Sequence, residues 1–214
     1  MTQRMHEIAR TIVDLQAELD REIEKRRRGL GVRVHDRLVE FEQGLVIEQR
    51  QLKRKVGSYI AKSSFGVIVT APVIYSMALP LLLLDLWLGV YQAICFRGYA
   101  IPRVVRRDYI AFDRERLAYL NWIEALNCAY CAYANGVIAY AREIGSRTEQ
   151  YWCPIKHALK ISGPHERYYQ FLEYGDAEGY RSRLEDFRAR LAEAGELRSP
   201  AAPANDTAED PLSP

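Results

Sequence analysis

Cysteine and histidine are scarce: 214 residues hold four of each. So few cysteines cannot build the disulfide framework of a small secreted protein. Net charge is also nearly absent, +2 from 30 basic and 28 acidic residues, so there is no bulk electrostatic footprint for nucleic acid and no such partner is expected. The start, MTQRMHEIAR, has no apolar run after its basic residues, and a cleavable secretory leader is not expected there. There is no glycine-rich phosphate loop, GxSxG elbow or HExxH helix. Internal repeats and useful lengths of alternating β pattern are missing too, so the expected class is all-α. Together these absences favour reduced thiols facing the cytoplasm.

What is present is sharply segregated. Residues 1–63 read as an amphipathic helical hairpin or short coiled coil. Met5, Ile8, Ile12, Leu15, Leu19 and Ile23 recur every three or four residues. The run Lys25–Arg28 with Gly29 ends that helix; it reads as a solvated helix end, with anionic lipid or RNA as the alternative. Val34, Leu38, Phe41, Leu45, Leu52 and Val56 suggest a second helix.

Residues 64–96 contain one formal charge, Asp85. The run exceeds the roughly 20 residues of one membrane span and is short for two. Pro80 sits near its midpoint and Pro72 adds a second break. Basic residues flank both ends: Arg50, Lys53, Arg54, Lys55 and Lys62 before, Arg97, Arg103, Arg106 and Arg107 after. Positive residues mark the cytoplasmic side, so a hairpin bent near Pro80 is favoured. A single kinked span and a buried hairpin of a soluble protein are the alternatives. Asp85 at bilayer depth needs a partner or a function. Trp87, Tyr91 and Tyr99 stand where aromatic side chains prefer the interface.

Residues 97–163 form the segment of greatest chemical interest. A long helix is expected from Asp113 as N-cap to Gly145. Glu124, Cys128, Cys131 and Asn135 line one face of it. Ser146 and Glu149 have the form of a capping box, and Pro154 suits the first position of another helix. Cys153 would then be an N-cap whose thiolate the helix dipole stabilises, with His157 one turn on. Two antiparallel helices would gather Cys128, Cys131, Cys153 and His157. That C-x2-C-x21-C-x3-H set suits a structural zinc ion, with an iron–sulfur cluster second. A thiol–disulfide pair of Cys153 with Cys131 or Cys128 competes, as do plain packing cysteines. Cys95 belongs with packing or with lipidation. The Glu-x-x-His signature of helical di-iron sites is missing around Glu124, Glu143, Glu149 and His157. The many nearby tyrosines read as core.

Residues 164–196 suggest two polar helices, and 197–214, rich in Pro and Ala, a disordered tail. The pattern LNxxExxNCxYCxYANG…SRTEQYWCPIKHA, within residues 70–160, resembles a group of uncharacterised bacterial membrane proteins. The resemblance implies a bacterial origin and inner-membrane association, and it assigns no catalytic residue. The expectation is therefore a cytoplasm-facing helical scaffold held at the lipid bilayer. Its partner would be a protein or a second copy. A redox protein is the alternative, and a membrane-surface enzyme using Asp85, Arg103, Arg106 or Arg107 a third.

Overall fold

The computed structural model describes residues 3–29, 32–35, 38–41 and 43–196; the expected tail, 197–214, lies outside them. The element order is α1 (Gln3–Gly29), β1 (Val32–His35), β2 (Leu38–Phe41), α2 (Gln43–Gln51), α3 (Val56–Lys62), α4 (Phe65–Ser76), α5 (Ala78–Tyr91), α6 (Trp122–Trp152) and α7 (Ala177–Glu196). The all-α class holds, with one exception. Where a second N-terminal helix was expected, β1 and β2 pair antiparallel with Val32 opposite Phe41 and His35 opposite Leu38. Val34, Leu38 and Phe41 fit a helical stripe, but Val32, Val34, Val39 and Phe41 also fit a period of two. β-Branched residues favour that second reading. The apolar stripe of α1 stays open: Ile8, Ile12, Leu15 and Leu19 are all more than half exposed.

The apolar run does not reverse. Met77, between α4 and α5, keeps right-handed helical angles (φ −63°, ψ −15°), and Phe65–Phe96 runs as one helix of 32 residues. Pro80 falls in the first turn of α5, where a missing N–H costs little. The expected hairpin is thus replaced by a single helix with a local irregularity. It closes in a π-helical turn, Gln92–Phe96.

The chain divides into two compact units: residues 1–85 with 106–140, and 86–105 with 141–214. In the first, Leu81, Ile110 and Val137 form a buried cluster bordered by Tyr109, Tyr133 and Ala134. Gly136 permits this packing. A Cβ there would lie 2.7 Å from the Tyr109 carbonyl oxygen and 2.8 Å from Ile110 Cγ1.

In the second unit, Phe171, Leu172 and Phe187 pack together with Tyr168 and Tyr180. The expected pair of C-terminal helices is a short 3-10 turn, Glu166–Gln170, followed by the single helix α7. Asp176 caps α7 by accepting from Gly179 N at 2.8 Å.

Candidate functional site

The helix Phe65–Phe96 places every hydroxyl, amide and carboxylate side chain it carries against a partner. Thr70 Oγ1 donates to the Gly66 carbonyl at 2.8 Å and Ser76 Oγ to that of Val73 at 2.7 Å. Tyr75 donates to Asn127 Oδ1. The Tyr91 and Thr148 hydroxyls pair at 3.1 Å, and Gln92 Oε1 accepts from Val104 N at 2.7 Å. Meanwhile only 6% of the helix's most apolar window is buried inside the protein. A core helix of a water-soluble protein shows the opposite, burying its apolar side chains. Here the polar groups are hydrogen-bonded within the chain while most of the large apolar side chains are exposed.

Asp85 is the one charge in this helix, and it is paired. Arg106 Nε lies 2.9 and 3.1 Å from its two carboxylate oxygens, and Nη2 lies 2.6 Å from Oδ2. The Tyr133 hydroxyl donates to Oδ2 at 3.0 Å. The Asp85 side chain is only 13% exposed, that of Arg106 48%. The bidentate fork neutralises the carboxylate where it stands. Asp85 was expected to need a partner or a function at bilayer depth, and Arg106 supplies the partner. The signal was present: a lone carboxylate in a long apolar run requires a cation somewhere in the chain.

The Cys/His set is distributed differently from the expectation. Helix α6 runs through Gly145 and Ser146 without a break, so the antiparallel pair that was to gather the ligands does not form. Cys128 and Cys131 lie on α6 in the first unit; Cys153 and His157 follow its end in the second. All four cysteines are free thiols. Among the described residues, no three His, Cys, Asp or Glu side chains group as a metal site would require.

The neighbours of those residues have other duties. The real helix start is Asn121, not Asp113. Asn121 Oδ1 accepts from the backbone N–H of Ile123 and Glu124 at 3.0 and 3.1 Å, while Glu124 Oε2 accepts from Asn121 N at 3.0 Å. This is a capping box, and it takes Glu124 off the cysteine stripe. Asn135 donates to the Cys131 carbonyl.

Cys153 sits past the carboxyl end of α6, where the helix dipole opposes a thiolate, rather than at a helix start. Partial burial pushes its thiol pKa up, and the Glu149 carboxylate adds to that. Pro154 starts no helix; the chain instead makes a parallel bridge, Ile155 to Leu172. The His157 backbone N–H donates to the Tyr168 hydroxyl at 2.8 Å, and its ring stacks on Tyr168.

The SRTEQ motif builds a buried polar network instead. Glu143 Oε1 accepts from Arg147 Nε at 2.8 Å and from Arg167 Nη2 at 2.7 Å. Arg147 Nη1 also donates to the Pro102 carbonyl at 2.6 Å. Arg167 Nε reaches Ser146 Oγ at 3.2 Å, and Gln150 Nε2 donates to the Phe187 carbonyl at 2.9 Å. Burial alone would raise the Glu143 carboxyl pKa, but the two guanidiniums overcome it and hold the group below its ordinary value. His165 Nδ1 accepts from Tyr168 N at 3.1 Å, which leaves Nε2–H to donate to Glu149 at 2.7 Å. Ser146 and Glu149, read in the sequence as a capping box, are therefore consumed by Arg167 and His165. The network ties α6 to the segment of Arg167 and to α7 within unit 2.

No family model, curated protein or solved structure matches this chain.

Proposed function

We propose that this protein is a membrane-anchored helical interaction protein, held at a bacterial inner membrane with the bulk of the chain in the cytoplasm. The observation that carries the reading is the apolar helix with its side chains turned outward and its polar groups satisfied internally. Contiguous exposed apolar side chains of this kind mark membrane or protein contact sites. The basic clusters at both ends of the helix suit the cytoplasmic side. The open stripe of α1 supports the interaction half of the proposal. Strict three-four spacing from Ile8 to Leu19 fits a partner helix, including a second copy of this chain. The reading calls on no metal and no thiol chemistry.

The test is fractionation of the full chain expressed in a bacterial host. Recovery in the inner-membrane pellet after a high-salt wash, and release only by detergent, supports the anchor. Recovery as a soluble species in plain buffer refutes it.

A further inference from the structure

The membrane reading leaves open how the helix meets the bilayer, and contacts within the first unit decide it. On a helix with 3.6 residues per turn, residues two apart point about 200° from each other. Leu81 and Asp85 face the covered side, against Ile110 and Arg106. Leu79 and Leu83 therefore face away, and they are 65% and 58% exposed.

The covered side is lined by chain that cannot enter hydrocarbon. Arg106 meets Asp85, Ile110 meets Leu81, and beyond them Tyr130 donates to the Ile74 carbonyl at 2.7 Å while Asn127 meets Tyr75. The segment between Ile110 and Asn127 thus passes from the level of Leu81 to that of Tyr75, the middle of the charge-free stretch Phe65–Leu84. It carries Asp113, Arg114 and Arg116, all exposed, and most of it before α6 is irregular. Irregular backbone with exposed charges does not occur in contact with lipid tails.

We infer that this helix lies along one face of the bilayer instead of crossing it, with the Leu79–Leu83 side in the acyl region and the Asp85–Arg106 side among the headgroups. The inference rests on the membrane reading above. Its partner is an anionic lipid surface, because Lys53, Arg54, Lys55 and Lys62 are exposed just ahead of the helix and match negative headgroups.

Two experiments on the full chain test it. The first introduces single cysteines at Lys62 and Asp113, with the native thiols replaced by serine, and labels oriented inner-membrane vesicles with an impermeant maleimide. Labelling of both positions from the same face is expected; labelling from opposite faces, or a shielded Asp113 position, overturns the inference while leaving the anchor intact. A chain found in the soluble fraction sinks the anchor itself.

The second keeps the native thiols, adds the detergent-solubilised chain to vesicles of phosphatidylcholine alone or mixed equally with phosphatidylglycerol, removes the detergent and measures co-sedimentation. Binding should favour the mixed vesicles and fall on the order of a hundredfold in the triple variant K53Q/R54Q/K55Q. Equal binding to both compositions, or a soluble dimer that ignores vesicles, overturns the proposal.

Discussion

The two compact units solve the same problem, how to hold polar groups out of water, in different ways. The second surrounds an ion network, Glu143 with Arg147 and Arg167, with its own aromatic core of Phe171 and Phe187. The first pairs Asp85 with Arg106 beside a small cluster of Leu81, Ile110 and Val137, and leaves the outer face of its helix uncovered. The second unit thus carries the core a water-soluble fold needs. On the membrane reading proposed above, the first is completed by lipid.

Breaking the buried network should have the largest effect. Glu143→Ala strands Arg147 without its counter-charge, and removing one partner of such a pair costs about 3–5 kcal/mol. Hydrogen exchange should rise across α7 and the C-terminal half of α6, while residues 65–85 keep their protection. Gly136→Ala strikes the first unit instead. Its new methyl meets the Tyr109 backbone, and overpacking of this kind costs about 1–3 kcal/mol; protection should fall around residues 106–110 and leave α7 unchanged.

Asn121→Ala removes the cap of α6 for about 1 kcal/mol, visible as fraying of its first turn by hydrogen exchange. Acid separates the units more gently. The Glu143 pKa is depressed in the fold, so its contribution is present above the unfolded value of about 4.3 and is lost as pH falls through the lower folded value. Unit 2 should loosen in that window. Glu143→Gln should abolish the added acid sensitivity, though at a lower starting stability. The smallest effect concerns Cys153. Its raised pKa predicts an iodoacetamide rate at neutral pH below that of an unhindered thiol, and faster reaction in Glu149→Gln.

Much of this was readable from residue order. The helical class, the apolar run and its flanking cations follow from composition and period. The need of Asp85 for a cation could be anticipated, although Arg106 could not be singled out among several arginines. The expected helix boundary between Cys131 and Cys153 is missing for a physical reason. Gly145 and the S-x-x-E form of Ser146–Glu149 look like a helix boundary, yet glycine inside a helix costs only about 1 kcal/mol, and Arg167 and His165 use those side chains from a distant segment. The true boundary, Asn121 with Glu124, has the same local form.

Period and hydropathy, which act over a few residues, settled where most of the helices occur and which one is long and apolar enough to span a membrane. Pairings between residues far apart in the chain settled the rest: Asp85 with Arg106, Glu143 with Arg167, and the unbroken course of α6. Those depend on which long-range contacts offset the burial of charge, and no local pattern carries that information.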